Sequence, residues 1–400
     1  MNTKNVLHDL FKAYYDARRN KRGSMSTMSF ERDYEKKLLQ LGQEIVSGSY
    51  KIGRSICFIC FKPLQREIFA ADFRDRIIHH FVYNYINPIF ENLFINDSYS
   101  CRVGKGTSYG IKRLDHFIRS CSKNYTQDCY ILKLDIQGYF MSIDKNILYK
   151  KIEERVVCMK NNYSFDVAWL LALIHQIIFH DPTKDCVVKG KRENWQGLPK
   201  SKSLFGAKPD TGLPIGNLTS QLFGNVYLNE FDHFMKYKLG CVYYGRYVDD
   251  IVIVHSDREY LKSIIPIIKK YLQDELFLEL HPKKIYVQDF RKGASFLGAV
   301  LKPYRTYIRN RIKGNFYKKI QDWNRLLVES DSKFIENHQV KFVASMNSYL
   351  GMLSQFDTFK LRKKLWVECV SPDFKKVIHI TENYRKIISQ NRDIIREIKR

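Results

Sequence analysis

The sequence has no apolar run of membrane-spanning length. Its greasiest segment, Trp169–Phe179, is interrupted by His175 and Gln176 and is about half as long as a span requires. Met1–Arg22 is polar and basic, without the apolar stretch of a secretory signal. A second pair of cysteines at metal-ligand spacing is missing too. The nine cysteines are odd in number and mostly isolated, as expected of reduced thiols in a cytosolic protein. Cys57 and Cys60 form a lone CxxC inside the apolar run Ile56–Phe61, and without a second ligand pair burial is preferred over zinc binding. Internal repeats and low-complexity tracts are absent. Acidic residues are in short supply, 42 against 67 Lys and Arg, which leaves a net charge of +25 on 400 residues. A hydrophobic content of 44% excludes a disordered polycation and supports two or three domains around real cores. What the charge implies is a polyanionic partner, nucleic acid or an anionic membrane surface.

The excess is uneven. Successive hundreds of residues carry +4, +7, +2 and +12, so about half of it sits in the last quarter while the third hundred is nearly neutral. This suggests a basic binding appendage behind a balanced core.

Periodic apolar positions predict two helices in residues 1–55, separated by the Ser-rich stretch Gly23–Ser29. Ile56–Phe69 favours strand and Phe73–Phe94 helix, with Pro88 at a kink or boundary. Cys129–Asp135 is a β-rich run ending on a carboxylate. Helices are expected over Lys145–Lys160, Phe165–Phe179 and Ser220–Leu239, and Asp181–Asp210 reads as a long loop. Cys241–Tyr247 and Ile251–His255 form the clearest hairpin, with Val248, Asp249 and Asp250 at its turn. A helix over Glu259–Gln273 and strands near Leu276–Leu280 and Ala294–Leu301 follow, and the last hundred residues read as mostly helical. Strands and helices alternate without βαβ regularity, which predicts an α+β fold.

Two adjacent acids on a hairpin tip are unfavourable unless water or a cation compensates them, although Asp is also an ordinary turn residue. Asp135, at the end of a second β-rich run, strengthens the cation reading. Hard ions such as Mg²⁺ need only one or two carboxylates when substrate phosphates complete the shell. Acids on neighbouring strands could hold two such ions about 4 Å apart around an in-line phosphoryl displacement.

The ordered set LKLDIQGYF (Leu132–Phe140), GLPIGNLTSQ (Gly212–Gln221), YVDD (Tyr247–Asp250), LHPKK (Leu280–Lys284) and FLG (Phe296–Gly298) resembles the palm motifs of reverse transcriptases. QREIFAADFRDRIIH (Gln65–His79) and SCRVGKGT (Ser100–Thr107) resemble that family's fingers motifs. The resemblance covers roughly residues 55–305 and implies a right-hand polymerase: an N-terminal helical extension (1–55), fingers (56–130), a palm sheet backed by helices (131–300, with an insertion near 181–211) and a helical basic thumb (301–400). It implies an RNA-directed DNA polymerase using two Mg²⁺ ions. Asp135 and Asp249 would be the metal ligands, with Asp250 beside them and the Ile136 carbonyl as a further ligand. Phe140 matches the aromatic gate that excludes a 2′-hydroxyl, with core packing as the plainer alternative. Arg66 and Arg74 match triphosphate-gripping positions, with ion pairing to Glu67, Asp72 and Asp75 as the rival. Lys284 matches the basic residue at the leaving pyrophosphate, and the neighbouring lysine leaves its register open by one. Ile215, Gly216 and Gln221 would border the nucleotide. Gly104 and Gly106, without a following Lys-Ser/Thr, read as template- or nucleotide-facing backbone. His79 and His80 have no metal-ligand spacing and read as core or surface.

Most reverse transcriptases have Gln before the Gly of the GLPIGNLTSQ motif and Pro after its Ser. This chain has Ile215 and Gln221, a form similar to reverse transcriptases of diversity-generating retroelements. That subtype implies error-prone copying at template adenines, a small basic accessory variability protein as partner, and a bacterial or phage-encoded cytoplasmic enzyme. Template RNA, cDNA or primer and dNTPs are the implied ligands, with no membrane. Rival readings are a retron, group II intron or phage-defence reverse transcriptase, or a non-catalytic RNA-binding protein on a palm fold. Lys302–Lys319 interleaves basic and aromatic residues, among them Lys302, Arg305, Arg309, Arg311 and Lys313, which suits phosphate contacts with base stacking or, equally, a solvated helical face.

Overall fold

Three helices, not two, open the chain. The structure, a computed structural model, describes residues 3–19, 21, 23–61, 64–159, 167–330 and 334–389. Helices α1 (Thr3–Arg18), α2 (Met25–Glu31) and α3 (Tyr34–Val46) bury Leu10, Tyr14, Phe30, Leu38 and Leu41. Gly23–Ser29, expected as a separator, instead starts α2, because the Ser24 hydroxyl accepts from the Thr27 N–H at 3.3 Å.

Strands β1 (Ser55–Cys60) and β2 (Arg66–Ala70) pair antiparallel, with Cys60 opposite Arg66. Helix α4 (Phe73–Glu91) is capped by Asp72, and Pro88 lies inside it rather than at its boundary. Next come α5 (Thr107–Cys121), β3 (Tyr130–Asp135), α6 (Tyr139–Ser142), α7 (Lys145–Cys158) and α8 (Ala168–Phe179). The helix ends expected at Lys160 and Phe165 lie outside the described residues. Asp181–Asp210 is not a plain loop. It contributes β4 (Cys186–Val188), parallel to β1, and three short 3₁₀ turns. Its composition hides this because the turns are held from elsewhere: buried Glu67 accepts from Trp195 Nε1 (2.7 Å), Ser203 Oγ (2.7 Å) and the Leu204 N–H (2.6 Å).

The helix expected over Ser220–Leu239 is broken into α9 (Leu218–Tyr227), α10 (Asn229–His233) and a π turn over Phe234–Lys238. The hairpin is β5 (Tyr243–Tyr247) and β6 (Asp250–His255), with Tyr247 opposite Asp250. Its turn is therefore Val248–Asp249, and Asp250, expected in the turn, is the first residue of β6. Helix α11 (Arg258–Leu276) ends where Phe277 turns left-handed (φ +50°), so the strand expected at Leu276–Leu280 does not form. Leu280 makes only an isolated bridge to Ile136, and the strand appears later as β7 (Tyr286–Asp289).

The central sheet has the order β5-β6-β3-β7. Its register sends Leu132, Leu134, Ile251 and Ile253 into the main core with Leu261, Ile264 and Ile268 of α11. Alternation then puts Ile131, Lys133 and Asp135 on the other face, beside Asp250, Val252 and Val254. Helix α5 covers part of that face, its Phe117 ring 5.7 Å from Tyr243.

The chain divides into two compact units. The first comprises Met1–Cys121 and Gln127–Val287, the second Ser122–Thr126 and Gln288–Arg400. The second unit holds β8 (Ala294–Phe296), β9 (Ala299–Lys302) and β10 (Arg305–Ile308), followed by α12 (Asn310–Val328), α13 (Phe334–Leu353), α14 (Phe359–Lys364), α15 (Pro372–Val377) and the hairpin β11 (Ile378–Ile380)–β12 (Ile387–Ser389). It is thus not wholly helical, and Lys302–Lys319 begins as a hairpin before α12. Phe342 and Phe374 stack at 3.9 Å in its core, and Tyr125 packs on Tyr304 at 4.6 Å and Phe290 at 6.0 Å. Among the described residues, no helix is long and apolar enough to cross a membrane.

Candidate active site

Antiparallel pairing of β3 with β6 sets Asp135 opposite Asp250, and the tight turn adds Asp249 beside them. The turn backbone is tied to β3, since the Ile136 N–H donates to the Asp249 carbonyl at 3.3 Å. After β3, the His281 N–H donates to the Asp135 carbonyl and the Gln137 N–H to that of Glu279, each at 2.8 Å. These bonds bring the Pro282–Lys284 turn to the carboxylates. Lys284 Nζ then reaches both oxygens of Asp135 (2.9 and 2.8 Å), while Lys133 Nζ lies 3.0 Å from Asp250. Asp249 has no ion pair among the described residues.

The electrostatics follow. Burial, reinforced by the charges of Asp135 and Asp250, pushes Asp249 up to about 6, with Lys284 opposing. Asp250 is raised as well, chiefly by burial, with Lys133 opposing. Acids that raise one another at the end of a rigid sheet fit a divalent cation, which would relieve the repulsion. Among the described residues no three His, Cys, Asp or Glu side chains are gathered to ligate an ion by themselves. The donor set fits a hard ion held by two carboxylates, with substrate oxygens completing the shell.

Other motif residues form a second cluster. Phe140 and Ile215 both pack against Cys57, Phe69, Met141 and Leu204. The Phe69 N–H donates to the Ile215 carbonyl at 2.9 Å. Gly216 has φ +134°, and a Cβ there would stand 2.7 Å from the Phe69 carbonyl oxygen, so glycine is what lets this loop approach β2. Gly138 (φ +58°) likewise lies where a Cβ would meet the Ser201 carbonyl at 2.6 Å. Gln221 is exposed on the first turn of α9.

The two fingers arginines differ. Arg66 is exposed at the start of β2, and its charge acts on the half-buried Tyr247 hydroxyl, whose pKa is raised by burial and lowered by Arg66. Arg74 is occupied: it pairs with Glu44, donates to the Lys51 carbonyl at 3.1 Å and lies over the Tyr50 ring at 4.9 Å. In the second unit Lys302, Arg305, Arg309 and Arg311 are exposed and Lys313 is half-buried, with Lys302 directly opposite Arg305 across β9–β10. Tyr304 is 80% exposed beside them.

Sequence reasoning missed Lys133, although period-two alternation in LKLD places it on the same face as Asp135. It also missed Arg246 and Asp232, both fully buried and ion-paired at 2.6 Å. Arg246 was signalled only by a charge inside an otherwise uncharged strand, and Asp232, within the mostly polar run Asn229–His233, by nothing that set it apart.

Residues 65–301 match the sequence profile described as reverse transcriptase (RNA-dependent DNA polymerase). Protein YkfC of Escherichia coli (strain K12) is 22% identical over 295 residues, 64% of this chain and 69% of its own length. Among solved structures, apo telomerase of Candida tropicalis truncated from its C-terminal domain aligns with TM-score 0.45 and 13% identity, over 68% of this chain and 59% of that one. Telomerase of Candida albicans, solved with a TWJ fragment of telomeric RNA, aligns with TM-score 0.44 and 12% identity, over 85% of this chain and 62% of that one. The chain thus spans about three-fifths of the telomerase chains it matches. With the profile covering more than half of its residues, including every acid of the strand-end cluster, the chain belongs to the reverse transcriptase family, whose members are nucleotidyltransferases.

Proposed function

We propose that this protein copies an RNA template into DNA by two-metal phosphoryl transfer. The observation that carries this reading is the meeting of Asp135 with Asp249 and Asp250 at adjoining strand ends. Asp135 and Asp249, with the Ile136 carbonyl, would hold Mg²⁺, which when bound supplies the positive charge that the attacking and leaving oxygens need. Asp250, paired with Lys133, keeps the neighbouring field negative. Lys284, which the structure pairs with Asp135, would be the group to neutralise or protonate the departing pyrophosphate. Phe140 shapes the sugar pocket against a 2′-hydroxyl. Arg66, which makes no ion pair among the described residues, can meet the triphosphate, and Arg74 can do so only by leaving Glu44.

In this reading residues 1–55 form an N-terminal extension, 56–130 the fingers, 131–300 the palm with its 181–211 insertion, and 301–400 the thumb. Lys302, Arg305, Arg309, Arg311 and Lys313 face the template–primer duplex. The like charges of Lys302 and Arg305, opposed across one hairpin, support an anionic partner there.

The finer reading is a diversity-generating retroelement enzyme, acting in the bacterial cytoplasm with a small basic accessory protein. It is supported by Ile215, whose apolar side chain shares a cluster with Phe140 and offers no hydrogen bond to an incoming pair. Mg²⁺-dependent primer extension on RNA tests the polymerase, with Asp249→Ala as blank; no extension by the wild type overturns it. Ile215→Gln should lower misincorporation opposite template adenine, and an unchanged error spectrum overturns the subtype.

A further inference from the structure

Val248 is a β-branched residue in left-handed backbone, φ +57°, immediately before Asp249. Such a residue is strained there and keeps the conformation only when its surroundings impose it. The constraint is visible. Arg246 Nη1 donates to the Val248 carbonyl at 2.9 Å, and the Asp249 carbonyl is taken by the Ile136 N–H. The turn is therefore pinned at two successive carbonyls.

Arg246 is itself immobilised. Nε and Nη2 donate to Asp232 Oδ1 (2.7 Å) and Oδ2 (2.6 Å), and Nη2 also donates to Ser98 Oγ at 3.2 Å. The Tyr244 hydroxyl donates to Asp232 Oδ1 at 2.5 Å, and the Arg246 N–H to the Asp97 carbonyl at 2.9 Å. Both charged side chains are fully shielded from water. A buried pair of this kind is a weak source of net stability compared with apolar residues of similar volume, so its retention calls for another role. The guanidinium supplies it: its planar fork binds Asp232 with one edge and has a further N–H left for the turn, a geometry an ammonium cannot copy.

We infer that Arg246, oriented by Asp232, is a positioning residue that holds the Val248–Asp249 turn in its strained form and so places the Asp249 carboxylate for the cation. The inference rests on the metal-site reading above.

The test is Mn²⁺ binding by titration calorimetry on the full chain, with the melting temperature recorded for each variant. Arg246→Lys, which keeps the charge but not the reach to Val248, should bind Mn²⁺ at least about tenfold more weakly, a loss of about 1.4 kcal/mol. Adding Val248→Gly should restore most of that affinity, because glycine adopts positive φ without an anchor. A purely structural ion pair would not be rescued by a change in the turn. A folded Arg246→Lys protein with wild-type affinity, or one that Val248→Gly fails to rescue, overturns the inference. If Arg246→Lys does not fold, the triple variant Asp232→Leu, Tyr244→Phe, Arg246→Met, which removes both buried charges and the hydroxyl bound to them, is compared with and without Val248→Gly. If neither background folds, the pair is structural and the inference falls. Failure of the underlying reading is separate: the wild type itself would then bind no Mn²⁺ that Asp249→Ala abolishes.

Discussion

At Asp249 the protein holds a carboxylate against its own electrostatic interest. The charges of Asp135 and Asp250 and the loss of water all oppose its ionisation. Asp249→Asn should therefore raise the stability of the metal-free protein by about 1–2 kcal/mol while abolishing primer extension. Urea denaturation in EDTA measures the first effect, and a destabilised variant contradicts the account. His79 presents the opposite sign. It is buried in α4 with Nδ1 2.8 Å from the Thr219 hydroxyl, and burial pushes its pKa down from 6.5 to about 3. The unfolded chain thus takes up a proton that the folded one refuses. The stability tied to neutral His79 is complete above pH 6.5 and is lost as pH falls towards about 3. Between about pH 7 and 5 the wild type should lose about 2 kcal/mol more than His79→Gln, which keeps a partner for Thr219. Equal losses in parallel urea titrations would falsify this.

The 181–211 segment shows what an element owes to residues remote in sequence. Its Lys, Gly and Pro read as a loop, yet it contains β4 and three 3₁₀ turns. Glu67 gives it a fixed place by gathering three donors from Trp195, Ser203 and Leu204, and Gln65 adds bonds to the carbonyls of Asn194 (2.8 Å) and Gln196 (3.0 Å). Glu67→Gln turns one acceptor into a donor facing other donors, which should weaken this docking by about 2–3 kcal/mol. Trypsin cleavage after the exposed Lys200 and Lys202 should then rise by at least about tenfold, with little change in overall melting. An unchanged cleavage rate would mean the segment is held by its apolar contacts alone. The same contrast explains what could be read beforehand. Asp135, Asp249 and the hairpin around them were legible because period-two patterning and turn chemistry are local. Lys133 on Asp250, Asp232 on Arg246 and Glu44 on Arg74 were not, because each pair depends on register or packing between distant segments. The break of Ser220–Leu239 into three pieces was likewise invisible in its continuous helical periodicity.

Across the whole molecule the +25 charge resolves into parts with different tasks. Arg18, Arg74, Arg102, Arg113 and Arg246 contribute nothing to that excess, since each pairs with a carboxylate of the first unit. Exposed Lys302, Arg305 and Arg309 make no ion pair among the described residues, and under the proposed function these are the charges an RNA–DNA duplex would meet. Replacing the three with Gln should weaken duplex binding evenly across sequences. It should also flatten the dependence of log K on log salt by about 2–3. Fluorescence anisotropy between low and moderate salt reads the slope, and an unchanged slope moves the duplex elsewhere.

Ser122–Thr126 belongs to the second unit although the chain on both sides of it belongs to the first. Tyr125 packs on Phe290 and Tyr304, which are made long after it has been synthesised. The nascent chain therefore carries a piece of the second unit inside the first until Phe290 and Tyr304 have been made. The arrangement also bears on gene dissection. A cut at the boundary near Val287 leaves the first unit whole but parts Ser122–Thr126 from the rest of the second, so recombination that swaps one C-terminal region for another should bring a matching residue 125 with it.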